Sequence, residues 1–168
     1  MNNDVNTNEN VQTPAPFAGF WWRLLAYLID NVIVSMASWI IILPVLGVFG
    51  ISIWSLSESG YDIDDPRVIL GPIFILYGVI ISVTIVINWL YFALMESSKT
   101  QGTVGKLVLK IKVTDYDYNR ISFARASGRY FGKIISSFIF MIGYIMIAFT
   151  EKKQGLHDLM ANCYVIKE

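Results

Sequence analysis

"VILGPIFILYGVIISVTIVINWLYFALM", residues 68–95, carries no charged side chain. As a helix it would be roughly 42 Å long, more than the ~30 Å of a hydrocarbon core. Arg67 and Glu96 bracket it, and Trp89 and Tyr91 suit an interfacial aromatic belt. So apolar a run reads as a membrane span, expected at about 68–95. Whole-chain composition agrees. Of 168 residues, 55% are hydrophobic and only 15% charged, where a soluble domain carries about a quarter charged.

Upstream, "FWWRLLAYLIDNVIVS" (residues 20–35) opens a second long apolar run, expected as a helix at about 20–49. Pro44 lies late in it and is expected to kink or end it. The preceding residues 1–17 are polar, Asn-rich and proline-ended, so a disordered tail is expected, not a signal peptide. Residues 18–168 then form one membrane domain.

Downstream, "KLVLKIKVTD" alternates apolar and polar from Lys106, as a half-buried strand does. "DYDYN" reads as a turn and "RISF" as a return strand, giving a strand or hairpin at about 106–123. A helical segment follows at about 123–150. Arg125, Arg129 and Lys133 form a basic stripe on it, as on an interfacial helix. Ala124, Gly128, Gly132 and Ser136 form a small-residue edge that would let another helix approach. Its apolar part, residues 134–149, is roughly 24 Å long, short for a perpendicular span. Two arrangements stay open: a third span, or a helical hairpin that returns the C-terminal motif (151–168) to the starting side. The run "CYVIK" favours the hairpin, because a strand there would pair with the first. The expected fold is mainly α: a multi-pass helical membrane protein with two long transmembrane helices, a third helix or helical hairpin, and a small cytoplasmic β element. Lysine and arginine crowd the loop after the second span, which places that loop and the N-terminus in the cytoplasm and the chain in the inner membrane.

Arg23 and Asp30 are seven residues apart, so they share a helix face with Tyr27 between them. Arg23 fits a membrane entry. Asp30 lies about 10 Å deeper by helix rise, where a carboxylate is costly and marks a function by default. On the second span Tyr77, Thr84, Asn88 and Tyr91 share one face. A polar seam centred on Asp30 and Asn88 would satisfy both. His157 is the only histidine and neighbours Asp158, but adjacent helical residues do not face one another and no nucleophile motif accompanies them. "GTVGK" (102–106) lacks the spacing of a phosphate loop and is read as preceding a strand. One cysteine and one histidine cannot build a zinc site. No enzyme activity, cofactor or metal is expected, and zero net charge gives no case for nucleic acid.

"GFWWRLLAYLIDNVI", "TVGKLVLKIKVTD", "ISFARASGRYFGK" and "KQGLHDLMANCYVI" occur in that order and resemble the RDD family of bacterial membrane proteins. The family is named for an arginine and two aspartates, which the resemblance assigns to Arg23, Asp30 and Asp158. The chain departs from the pattern at Val104 (usually proline), Leu159 (usually lysine) and Asn162 (usually glycine). The resemblance implies no settled activity and leans toward transport. The expected function is therefore transport of an ion or small solute by a homo-oligomer. Asp30 would bind a cation or proton, Arg23 would set its pKa, and Asn88 and Tyr27 would line the path. The alternative is a scaffold or regulator that docks a protein partner or anionic lipid on its basic cytoplasmic loop.

Overall fold

The computed structural model describes residues 16–139 and 141–168. Of the expected disordered tail, residues 1–15 lie outside the described residues. Eight elements follow one another: α1 (Phe20–Glu58), α2 (Pro66–Glu96), α3 (Val104–Val108), β1 (Ile111–Asp115), α4 (Phe123–Phe138), α5 (Ile142–Phe149), α6 (Leu156–Met160) and β2 (Cys163–Lys167). The chain is mainly helical, with two helices long and apolar enough to cross a membrane. At 39 and 31 residues, both exceed the ~20 residues a bilayer needs. The surplus length of α1 at its start and of α2 at its end lies in a small cap. Buried residues of α2 occur only at that end (Phe92, Ala93, Glu96), while Trp39, Ile40, Phe74 and Ile75 stand exposed as lipid-facing surface.

α1 does not stop near residue 49, nor at Pro44, which lies inside the helix. A proline deletes one hydrogen bond, and in a membrane helix neighbouring groups absorb that loss. The stop is chemical. Gly60 takes φ 84°, the Gly60 N–H donates to the Ser57 carbonyl and the Tyr61 N–H to the Leu56 carbonyl. This is a Schellman ending, and it needs a residue tolerant of positive φ. α2 starts two residues before its apolar run, with Pro66 in the first turn and the Asp65 carboxylate accepting from the Arg67 N–H.

β1 and β2 pair antiparallel, Ile111 opposite Lys167 through Asp115 opposite Cys163. On the other edge of β2, Phe17 bridges Ile166, and the Ala18 N–H donates to the Val165 carbonyl at 2.8 Å. Residues 16 and 17 therefore join the sheet instead of extending a tail. This strand ties the C-terminus to the entry of α1 and to the segment after α2. With two spanning helices between those segments, all three lie on one side. The cap core is Ala18, Ala26, Ala93, Ile111, Val113, Ile121, Ala126, Cys163 and Val165, with Trp89 packed against it.

Two strand expectations are corrected. Only Ile111–Asp115 of the alternating run is extended; Val104–Val108 is a helical turn, and Lys110 at φ 54° reverses the chain between them. "RISF" is no strand. Ile121 plugs the core and the Ser122 hydroxyl caps α4 by accepting from the Arg125 N–H. The Asp115 carboxylate holds the intervening turn by accepting from the Asp117 and Asn119 N–H groups.

α4 and α5 meet at a bend of 102°, so this segment folds back rather than crossing straight. A Cβ on Gly143 would lie 2.4 Å from Ser136 Oγ, and one on Gly132 3.2 Å from His157 Cα. The expected small-residue edge is thus used in its second half only; Ala124 and Gly128 are exposed. The basic stripe is also corrected. Arg125 is exposed, but Arg129 is 2% exposed and points into the molecule, not toward headgroups.

Candidate functional site

Where the cap meets the spanning helices, buried charges from five helices converge. Glu96, the last residue of α2, accepts from Lys106 of α3 and from Arg129 Nη1 of α4 at 2.8 Å, with Lys133 Nζ at 3.5 Å. Asp158 of α6 accepts from Arg23 of α1, from Arg129 Nε at 2.8 Å and from the Gly155 N–H at 3.1 Å. Arg129 is therefore the bridge, holding one carboxylate with Nη1 and the other with Nε. The planar fork presents separate N–H groups to the two carboxylates at once, a fixed geometry that a lysine ammonium lacks. Arg23 also donates to the Lys153 carbonyl and, through Nε at 2.8 Å, to the Ala18 carbonyl.

Electrostatics follow from that burial. Desolvation alone would raise the Asp158 carboxyl, but the Arg23 and Arg129 guanidiniums outweigh it and hold it well below the usual carboxylate range. Burial pushes the Lys106 ammonium down to about 7, with Glu96 pulling the other way. Burial also drops His157 to about 3, so it is a neutral imidazole at neutral pH. Its Nε2 lies 3.5 Å from Asp158 Oδ1, too far for a good hydrogen bond, and its Nδ1 has no partner among the described residues.

Asp30 belongs to a second cluster. Its carboxylate accepts from the Tyr91 hydroxyl at 2.8 Å, the Thr103 hydroxyl at 2.5 Å and the Gly105 N–H at 2.7 Å. These three donors come from α2 and the start of α3, two on Oδ1 and one on Oδ2. Gly105 makes this approach possible, since a Cβ there would lie 2.2 Å from the Ala26 carbonyl oxygen of α1. Asp30 is thus a clamp that seats α3 against α1.

The expected residues are placed as follows. Arg23 and Asp30 do share the inward face of α1, but they serve different partners: Arg23 binds Asp158, and Asp30 binds neutral donors. The expected Asp30–Asn88 seam is replaced by Asp30–Tyr91; the Asn88 amide donates to the Thr84 carbonyl of its own helix at 2.9 Å. Tyr27 is 53% exposed. Sequence reasoning missed Glu96, Arg129, Lys106, Thr103 and Gly105. "GTVGK" is no phosphate loop, yet it supplies three of these residues and opens a helical turn rather than a strand. A signal for Glu96 did exist: it is an acid at the span's end facing the basic loop.

A cavity of about 410 Å³ lies above the charges, between α1, α2, α4 and α5. Arg23, Lys106, Arg129, Lys133 and His157 reach its polar side, and Leu24, Phe92, Ile134 and Ile145 line its apolar side. A second cavity of about 240 Å³ runs between α1 and α2, lined by Asn31, Ser35, Ser38, Thr84 and Asn88 among others. Asn88 lines both.

The RDD family model matches residues 17–162. The uncharacterized protein YxaI of Bacillus subtilis (strain 168) is 40% identical over 149 residues, covering 89% of this chain and 96% of YxaI. The uncharacterized membrane protein YteJ of the same organism is 30% identical over 158 residues, covering 90% of this chain and 82% of YteJ. No solved structure matches. With the clamped aspartate on α1, the Arg23–Asp158 pair and the spanning helices all inside the matched region, this chain belongs to the RDD family of membrane proteins.

Proposed function

We propose that the protein takes part in moving a small solute across the inner membrane, with the two cavities that meet at Asn88 as its path. The shared residue is the observation that carries this reading. Asn31, Ser35, Ser38, Thr84 and Asn88 put a lane of polar groups on helices that otherwise face lipid. Among the described residues, Ser35, Ser38, Thr84 and Asn88 each donate to a carbonyl of their own helix. Polar groups at this depth face a bundle interior or a wet cavity. Two spanning helices cannot enclose a path alone, so a second copy completes it.

Asp30 is not the solute ligand in this scheme, because both of its oxygens already accept hydrogen bonds that seat α3 on α1. Replacing Asn88 with leucine removes the group common to both cavities and touches neither charge cluster. In proteoliposomes loaded with potassium phosphate, proton, potassium or phosphate release should fall about tenfold or more with Asn88→Leu, and not with lipid-facing Ile85→Ala. Equal flux in the two, or none above protein-free liposomes in the wild type, overturns the reading. A scaffold docking partners on a basic loop is less well supported, since Lys106 and Arg129 turn inward.

The cap faces the cytoplasm in this scheme. Every lysine and arginine except Arg67 lies on the cap side, as the positive-inside rule asks. The natural reporter, Cys163, is 0% exposed and would resist a thiol reagent from either side. In a Cys163→Ser background, Tyr61→Cys should label in whole cells and Asp117→Cys only after permeabilisation. The reverse pattern rejects the orientation.

A further inference from the structure

We propose that the larger cavity is a headgroup site for an anionic membrane amphiphile, with the phosphate held at Lys133 and the acyl chains leaving past Ile145. The inference goes beyond the transport reading and concerns a lipid resident at the cavity's mouth, not the solute that moves.

Charge is the first observation. Four basic side chains border the cavity floor, Arg23, Lys106, Arg129 and Lys133, and two carboxylates, Glu96 and Asp158, pair with them. Asp30 accepts instead from the neutral donors of Tyr91, Thr103 and Gly105. Two acids thus serve four basic groups, of which burial holds Lys106 only partly charged near neutral pH. The poorest served is Lys133. Its one ion pair is 3.5 Å long, and its ammonium lies 4.5 Å from the centre of the Phe92 ring. An unbalanced cation in a low-dielectric site favours an incoming anion.

The wall is the second. The cavity's rim includes Tyr27, Met141 and Ile145, which are 53%, 61% and 49% exposed. Apolar side chains therefore carry the opening outward between α1 and α5. A hydrated inorganic anion has no use for that surface, whereas an acyl chain does. Position is the third. The floor lies where α1 enters the cap and α2 ends, the level at which headgroups lie. A volume of about 410 Å³ admits a headgroup but not the chains of a whole lipid, so the chains must lie outside.

Native mass spectrometry in a neutral detergent tests this with three probes: dioleoylphosphatidylglycerol, dioleoylphosphatidylcholine and free glycerol phosphate. Phosphatidylglycerol should be retained about tenfold more tightly than either of the others. Lys133→Gln should weaken its retention about tenfold, as expected for loss of one charge-assisted contact, while exposed Arg120→Gln leaves it unchanged. Ile145→Trp, which narrows the mouth without altering charge, should weaken retention as well, so the test does not depend on Lys133→Gln folding well. Equal retention of phosphatidylcholine, equally tight glycerol phosphate, or wild-type retention by both cavity variants overturns the proposal. Retention is read without flux. Lost flux with lipid retained would reject the transport reading alone, and the converse would reject this inference alone.

Discussion

Replacing Arg129 with glutamine should destabilise the cap by about 3–5 kcal/mol. Among the described residues the guanidinium alone pairs with both Glu96 and Asp158, and all three side chains are at most 2% exposed. Removing one partner from a buried pair costs about 3–5 kcal/mol, because the other charge is left uncompensated. Here two carboxylates lose a partner at once, against a total stability of about 5–15 kcal/mol for a typical domain. Lys106 and Arg23 still reach one carboxylate each, so the loss stays nearer one broken pair than two. The control is Arg125→Gln, one turn earlier. Arg125 is exposed and only 3.7 Å from Asp115, so its loss should stay within about 0.5 kcal/mol. Thermal melting in detergent compares them, and equal melting would refute the bridge.

Gly105→Ala should be the second most damaging change. The new methyl would sit 2.2 Å from the Ala26 carbonyl oxygen and 3.0 Å from Asp30 Cγ. The first atom belongs to the α1 backbone, so nothing nearby can rotate away. α3 must back off, which breaks the Gly105 N–H to Asp30 bond of 2.7 Å. Overpacking costs about 1–3 kcal/mol and a hydrogen bond to a charged group about 1.5–3 kcal/mol, so a loss of about 3 kcal/mol or more is expected. Gly128→Ala makes the contrast. A Cβ there meets nothing within 4 Å, and the α4 interior should gain up to about 1 kcal/mol from the better helix former. If Gly105→Ala melts like Gly128→Ala, α3 does not lie against α1 as described.

Both predictions concern contacts between elements far apart in the chain, and there sequence reading was weakest. The face of α1 was legible: helical periodicity alone puts Arg23 and Asp30 on one side. Their partners were not. Asp158 lies 135 residues from Arg23 and Gly105 lies 75 from Asp30, and no local pattern records such a distance. The basic stripe on α4 shows the same limit. Spacing establishes that Arg125, Arg129 and Lys133 share a face, but whether that face meets headgroups or two buried carboxylates depends on what packs against it. The alternation from Lys106 misled for a related reason. Five residues of real strand sit beside a helical turn whose residues happen to continue the pattern, and a short period-two run cannot mark its own start.

What the sequence determined by itself was whatever a solvent can impose one residue at a time. A run of 28 uncharged residues must be a membrane helix, because lipid leaves its backbone no other way to satisfy its hydrogen bonds. A strand at the C-terminus was suggested by the same kind of local pattern, but two arrangements of the chain stayed open until β2 was seen to pair with β1. Tertiary structure decided the pairing of the charges. A buried carboxylate needs donors at hydrogen-bond distance, and any of several arginines, lysines, hydroxyls or backbone N–H groups could have supplied them. Only the packed arrangement of α1, α2, α3, α4 and α6 gives Asp30 three neutral donors and sends Arg23 to Asp158.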